Sequence, residues 1–343
     1  MKGRIPYFDN LKFALICLVV IGHFIEPLYG QSHLIKASYQ WIYLFHIPLL
    51  VFVAGYFSKS APSESGYKKI ITRLVIPYFI FETLYTLADY ALFNRPELIF
   101  SYFEPHWLMW YLFSMILWRV ALPYVTLLKY PIIIMTVLAL LVGDSNNIEH
   151  YFSLSRTFVF FPFFLAGYYF DKKHLNILGK YKVRIVSVLV LVSMFFVAYF
   201  YGTNLRVKIL YGAASYESIG FEEPYAGLYR LIAMTLGVLL GVAFLSLIPN
   251  KRIPFLTSLG VNTMYPYLLH AFVIKYLDSL HMFEKINTPY EKILLVIGSL
   301  ALTVILSTSV TRKVFRVLIE PNSSFLFSGN EKQNERKRAD LSA

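Results

Sequence analysis

The sequence contains a single cysteine and few charged residues, and each shortage excludes a class of protein. Because Cys17 is the only thiol, the chain can form no internal disulfide and no multi-cysteine metal site. Charged residues make up 15% of the 343 positions, whereas soluble domains carry roughly a quarter. Hydrophobic residues make up 57%. This balance is typical of a chain embedded in a lipid bilayer.

The sequence also lacks a polar stretch long enough to form a soluble domain. The longest non-apolar segments are 202–224 and the tail after Ile319. We therefore expect one transmembrane domain over 1–319 and a polar, disordered cytoplasmic tail over 320–343. The net charge of +12 does not indicate a nucleic-acid partner, because the lysines and arginines are scattered between apolar runs.

Apolar runs of about 20 residues predict an all-α, polytopic membrane protein with about ten transmembrane helices. The expected spans are 9–29, 40–57, 74–93, 107–127, 131–143, 154–170, 185–201, 225–248, 257–277 and 292–311. With ten crossings, 23 of the 32 lysines and arginines fall on the side of both termini. Cytoplasmic loops are enriched in these residues, which predicts cytoplasmic N- and C-termini and a multi-pass protein of the plasma or inner membrane.

The first apolar run carries three ionisable residues, Lys12, His23 and Glu26. Lys12 and His23 are eleven residues apart, so on a helix they share one face, separated by ~16 Å of rise. Glu26 lies one turn beyond His23, where its carboxylate can orient the imidazole and raise its basicity. This pattern favours His23 as a general base and Glu26 as its partner. The alternative is that His23 only forms a hydrogen bond between helices.

Six short sequence segments between residue 4 and about residue 315 form a recognisable series of motifs. They are Arg4…Asp9-Asn10-Leu11-Lys12…Gly22-His23, Phe45-His46-Ile47-Pro48…Ala54-Gly55-Tyr56-Phe57, Arg73-Leu74-Val75-Ile76-Pro77-Tyr78, His106-Trp107…Trp110-Tyr111-Leu112…Trp118-Arg119, Arg156…Phe161-Pro162…Ala166-Gly167 and Leu259-Gly260-Val261-Asn262…His270. Together they resemble the acyltransferase family 3 of membrane proteins. The closest likeness is to the fucose 4-O-acetylase-like branch, which O-acetylates surface polysaccharides.

The resemblance implies acyl transfer from cytoplasmic acetyl-CoA to a hydroxyl of a cell-surface polysaccharide or its lipid-linked precursor. It places the family's arginine-x10-histidine pair at Lys12 and His23, with lysine in the basic position. His23 would deprotonate the acceptor hydroxyl directly or first carry the acyl group. No metal cofactor is implied, and the sequence shows no metal-ligand spacing.

Donor binding is expected at a basic cluster, because charged side chains bind the phosphates of CoA. The cluster comprises Lys12, Lys68, Lys69 and Arg73. Of the family's arginine-x2-arginine motif only the second member, Arg73, is present. For each lysine the alternative is a charge that only sets the topology.

Five further residues are candidates for acceptor binding: His46, His106, Trp107, Arg156 and His270. His46 fits an acceptor site or the membrane interface equally, whereas Trp107 can stack on a sugar face although interface anchoring is the commoner role of tryptophan. Arg156 can stabilise an oxyanion, bind an acidic sugar, or pair with Glu149 or another carboxylate. His270 can face the cavity or form a structural hydrogen bond.

Two other functions fit a polytopic chain with buried charges. One is a transporter or flippase for lipid-linked sugars, which the absence of an internal repeat disfavours. The other is a polysaccharide polymerase with a large arginine-rich external loop. The largest external segment, 202–224, contains only Arg206 and Lys208 as basic residues. The acyltransferase is therefore the favoured interpretation.

Overall fold

The structure is a computed structural model that describes residues 5–59, 64–145, 153–202, 205–322 and 326–327. Within these ranges the regular structure is entirely helical, which confirms the predicted all-α fold. The α-helices are α1 Pro6–Ile25, α2 His33–Tyr56, α3 Glu64–Ile70, α4 Ile76–Leu92, α5 Trp110–Val125, α6 Pro131–Leu141, α7 Leu154–Tyr169, α8 Lys173–Leu178, α9 Tyr181–Tyr201, α10 Lys208–Tyr211, α11 Tyr216–Ile219, α12 Ala226–Leu247, α13 Pro254–Leu259, α14 Met264–Ser279, α15 Pro289–Leu306 and α16 Ser309–Ile319.

Seven helical segments of the described chain are long and apolar enough to cross a bilayer. They are Pro6–Leu28, His33–Tyr56, Gly66–Leu92, Trp107–Val125, Tyr181–Tyr201, Ala226–Leu247 and Pro289–Leu306. The other three predicted spans correspond to shorter helices: α6 with 11 residues, and α7 and α14 with 16 each. The chain is a multi-pass membrane protein. The count of ten and the side of the termini stay predictions, and most of the predicted tail (323–325 and 328–343) lies outside the described residues.

Helices α2 and α7 meet at backbone distance through two glycines. A Cβ atom on Gly55 of α2 would lie 1.8 Å from the carbonyl oxygen of Phe164, and one on Gly167 of α7 would lie 1.9 Å from that of Phe52. Small residues allow this close approach between membrane helices, where packing replaces the hydrophobic effect as the driving force. The two contacts are reciprocal, so they fix α2 and α7 against each other.

Helix α1 is held near its start by the segment before α14. A Cβ atom on Gly260 would lie 1.8 Å from the carbonyl oxygen of Asp9. The Asn10 side chain donates to the carbonyls of Pro249 and Lys251 and accepts from the hydroxyl of Thr257. Because α1 also packs on α2, α14 and α15, the helix that carries Lys12 and His23 is fixed on several sides.

Helices α3 and α4 are joined by a π-helical turn, Ile71–Val75. Pro77 has no N–H group and cannot bond to the carbonyl of Arg73 four residues earlier, which accounts for the widened turn. Arg73 is exposed on this turn and lies within electrostatic range of Arg119 on α5. The irregular turn therefore brings two arginines together.

Candidate active site

A cavity of about 250 Å³ connects Lys12 with His23 on one face of α1. Its walls come from α1, α2, α5 and α14, and its polar lining includes Arg119, Tyr111 and Tyr267. The prediction that Lys12 and His23 share a helix face is confirmed. Arg119 follows Trp107, a neighbour of His23, by twelve residues, or ~18 Å of helix. It therefore lies toward the Lys12 end.

The ring of His23 is oriented by His270 on α14. Nδ1 of His270 lies 2.6 Å from the carbonyl oxygen of Pro266, which can only accept, so this nitrogen carries the proton. Nε2 of the neutral His270 ring is then an acceptor, and it lies 3.0 Å from Nδ1 of His23. His23 must therefore donate through Nδ1, which leaves its Nε2 with a free lone pair. This is the tautomer that a general base requires.

His46 is a second imidazole with a fixed tautomer close to His23. It is fully buried on α2, and its Nδ1 donates to the carbonyl of Ile42 at 2.8 Å. Its Nε2 is buried and has no hydrogen-bond partner among the described residues. Tyr43 packs edge-on against the His46 ring, with centroids 4.7 Å apart. His46 thus brings a second unprotonated nitrogen to this end of the cavity.

The predicted pairing of Glu26 with His23 is wrong. Glu26 lies at the end of α1, where its N–H still donates to the carbonyl of Gly22, but its carboxylate has partners other than His23. It interacts with the hydroxyls of Tyr39 and Tyr43 and lies within electrostatic range of Arg156. His270 takes the orienting position that the sequence assigned to Glu26.

Arg156 lies beside the cavity with its guanidinium 5.1 Å from the ring centre of Trp110, which lines the cavity. Its carboxylate neighbour is Glu26, in keeping with the expectation that such a charge is paired. Glu149, the other expected partner, lies outside the described residues.

The basic end of the cavity combines predicted and unpredicted residues. Lys12 forms an ion pair with Asp9 at 2.8 Å and lines the cavity. Arg119, which was not among the predicted site residues, lines the cavity too, and its Nε atom is buried without a partner among the described residues. Lys69 is exposed, and Lys68 packs against Phe327. The structure does not place either lysine in the cavity lining.

His106 and Trp107 lie at the imidazole end, just before α5. The indole of Trp107 stacks on the His23 ring with centroids 4.8 Å apart. His106 donates through Nε2 to Asp89 at 2.6 Å and through its backbone N–H to Glu82 at 2.8 Å. Two acidic residues of α4 thus hold the segment that places Trp107 on His23.

Two residues of the site had weak sequence signals. Arg119 stands in the Trp118-Arg119 segment of the family resemblance, and Asp89 follows Glu82 by seven residues, which places both on one face of α4. Lys275, which binds Asp89 at 2.5 Å, had no such signal, because its partner lies 186 residues away in the chain. Among the described residues no group of three or more His, Cys, Asp or Glu side chains could hold a metal ion.

Comparison with known proteins identifies the chain's family. The model of a family described as an acyltransferase domain, Acyl_transf_3, matches residues 5–312. The chain is also 30% identical over 129 residues to nodulation protein NolL of Mesorhizobium japonicum, a match that covers 33% of this chain and 35% of that protein. No solved structure matches the chain. The family match extends over nearly the whole membrane domain, from the start of α1 into α16, and the chain therefore belongs to the acyltransferase family 3 and is a membrane acyltransferase.

Proposed function

We propose that the protein transfers an acetyl group from cytoplasmic acetyl-CoA to a hydroxyl of a cell-surface polysaccharide or its lipid-linked precursor. The observation that carries the proposal is the cavity itself, with cations at one end and a base with a free lone pair at the other. Family membership favours this chemistry over a flippase or a polymerase.

Donor binding is assigned to Lys12, Arg119 and Arg73. Arg119 has a buried Nε donor that no described residue accepts from, and Arg73 lies within electrostatic range of it. Two like charges this close favour an anion between them, and phosphates bind arginine through charge-assisted hydrogen bonds. The cavity of about 250 Å³ is smaller than the ~300–1,000 Å³ of pockets that enclose a drug-sized ligand. It therefore suits the narrow thioester arm of CoA, while the nucleotide stays at the mouth.

Transfer is assigned to Nε2 of His23. The nitrogen takes the proton of the acceptor hydroxyl while the hydroxyl oxygen attacks the thioester carbonyl carbon. The carbon–sulfur bond breaks, the CoA thiolate leaves, and His23 returns its proton to the sulfur. His270 keeps the His23 ring oriented throughout, because its Nε2 accepts from Nδ1 of His23 in both protonation states.

Arg156 supplies positive charge near the reacting thioester. Its guanidinium lies over Trp110, whose ring lines the cavity, and Glu26 compensates its charge. A cation in this position stabilises negative charge that develops on the carbonyl oxygen. We accordingly assign Glu26 to holding Arg156 rather than to orienting His23.

The test uses purified full-length protein in nanodiscs with acetyl-labelled acetyl-CoA and cell-envelope glycan as the acceptor. We expect release of CoA and labelled glycan in equal amounts, and neither from a His23→Gln variant. Sealed vesicles of known orientation show on which face of the membrane acetyl-CoA is used, because acetyl-CoA does not cross the bilayer. Transfer should require acetyl-CoA on the face that carries Lys12. Absence of CoA release from the unaltered protein would contradict the proposal.

A further inference from the structure

A second cavity of about 320 Å³ lies at the end of α4, and we name it the Asp89 cavity. Its polar lining includes Thr86, Asp89, Arg95, Glu97 and His106. Asp89 is its half-buried centre, because Oδ2 binds His106 at 2.6 Å and Oδ1 binds Lys275 at 2.5 Å. Each carboxylate oxygen keeps a further lone pair, and the Lys275 ammonium has three protons, so the cluster has capacity for more hydrogen bonds.

Trp107 connects the Asp89 cavity to the catalytic histidine. One neighbour of its indole is the His23 ring, at 4.8 Å between centroids, and another is the Lys275 ammonium, 5.9 Å from the ring centre. The indole therefore neighbours both the polar cluster around Asp89 and the base. His106 lines the Asp89 cavity and directly precedes Trp107 in the chain, so an acceptor bound at Asp89 lies next to the segment that carries the indole.

The backbone at Trp107 is held in an unfavourable conformation. Its φ is +21°, a region that residues other than glycine adopt only when their surroundings impose it. The restraint comes from His106, whose backbone and ring are bound by Glu82 and Asp89. Strain of this kind is found where a precise side-chain position serves binding or catalysis.

We propose that the Asp89 cavity is the acceptor subsite and that it binds an uncharged saccharide ring through neighbouring hydroxyls. One hydroxyl donates to Asp89 and the next accepts from Lys275, while the ring face lies against Trp107. Arg95 and Glu97 carry opposite charges and Asp89 already binds a cation, so the cavity offers no surplus positive charge for a carboxylated sugar. The inference rests on the proposed function, because it names the acceptor side of that transfer.

The experiment measures two activities of full-length protein in nanodiscs with labelled acetyl-CoA. The first is CoA release without acceptor, in which water takes the acetyl group. The second is transfer to three probes: the methyl glycosides of a hexose, a 6-deoxyhexose and a hexuronic acid. The variants are Asp89→Asn at the centre and Glu97→Ala at the exposed mouth. Asp278→Asn, an exposed aspartate one turn beyond Lys275 on α14, is the matched control.

We expect Asp89→Asn to raise the KM for the neutral glycosides about tenfold, the effect of losing one charge-assisted hydrogen bond. Glu97→Ala should raise it about threefold, and Asp278→Asn should leave it unchanged. The KM for acetyl-CoA and CoA release onto water should stay constant in Glu97→Ala and Asp278→Asn. If Asp89→Asn does not fold, Glu97→Ala carries the test, because its side chain lies at the surface.

An acceptor KM that both cavity variants leave unchanged would overturn the inference. So would a parallel loss of CoA release in Glu97→Ala, because that result would show that Glu97 supports the base and not acceptor binding. Preference for the hexuronic acid, or transfer to none of the three glycosides, would contradict the inference that the cavity binds an uncharged saccharide. In each of these cases CoA release by the unaltered protein leaves the proposed acyl transfer standing, whereas absence of CoA release contradicts that proposal itself.

Discussion

The two ends of the Lys12–His23 cavity are built in opposite ways. At the basic end the buried Nε of Arg119 has no partner within the described part of the chain, and the exposed Arg73 lies within electrostatic range of it. At the imidazole end, backbone carbonyls fix the protons of His270 and His46, and His270 in turn fixes that of His23. Hydrogen-bond donors without a protein partner suit reversible ligand binding, whereas imidazoles with a fixed tautomer suit proton transfer. Under the proposed function, donor binding and proton transfer thus lie at opposite ends of one face of α1.

Replacing His23 by glutamine tests whether the chemistry is confined to the imidazole end. Loss of a general base typically lowers the rate by about 10²–10⁴-fold, so His23→Gln should abolish measurable transfer. Glutamine keeps a hydrogen-bonding side chain toward His270, and the melting temperature should therefore stay close to that of the unaltered protein. Acetyl transfer and thermal unfolding are measured on the same preparation. Substantial activity in a stable His23→Gln protein would show that His23 has only a structural role.

Removing Arg119 tests the basic end. Arg119→Ala should raise the KM for acetyl-CoA about 10–100-fold, because a charge-assisted contact to phosphate contributes about 1.5–3 kcal/mol. The kcat should change little. Arg73→Ala should act in the same direction, and Lys12→Arg should be tolerated better than Lys12→Ala.

Lys129→Ala, which removes an exposed lysine beyond the end of α5, is the control for loss of positive charge alone. Steady-state kinetics at saturating acceptor gives the KM and kcat of each variant. A lowered kcat with an unchanged KM for Arg119→Ala would show that the phosphates of CoA do not bind at this end of the cavity.

Substitution of His270 shows how much of the base depends on its orientation. His270→Leu removes the acceptor for Nδ1 of His23 and should lower kcat about tenfold, the value of one hydrogen bond of ~1.5 kcal/mol. His270→Gln can restore an acceptor oxygen and should recover part of the rate. Both variants should keep the KM for acetyl-CoA. Equal activity of the leucine and glutamine variants would show that the His23–His270 contact does not orient the base.

The smallest effect on rate is expected at Glu26. Because its carboxylate serves Arg156 and two tyrosines, Glu26→Gln should lower the melting temperature by a few degrees and kcat by no more than about threefold. Differential scanning fluorimetry and transfer assays separate the two effects. Loss of activity comparable to that of His23→Gln would show that Glu26 acts together with His23 in catalysis.

The face shared by Lys12 and His23 was predictable because helical periodicity is a local property. The partner of His23 was not, since His270 lies 247 residues further along the chain and only packing brings it near. Glu26 misled the sequence argument because i,i+3 spacing allows a contact without imposing it, and the carboxylate binds Tyr39 and Tyr43 of the neighbouring helix α2 instead. Arg119 was predictable as a positive charge but not as a wall of the cavity, because its orientation depends on how α5 packs.

The reciprocal glycine contacts of α2 and α7 limit how the donor path can change shape. Ile47, Leu50 and Val53 of α2 form one side of that path, and Gly55 and Gly167 lock this helix to its neighbour at backbone distance. A wall fixed in this way cannot rock aside as the moving half of a transporter does. We therefore expect this wall of the cavity to keep its position, and the side chains of Ile47, Leu50 and Val53 to limit the length of acyl chain that reaches His23.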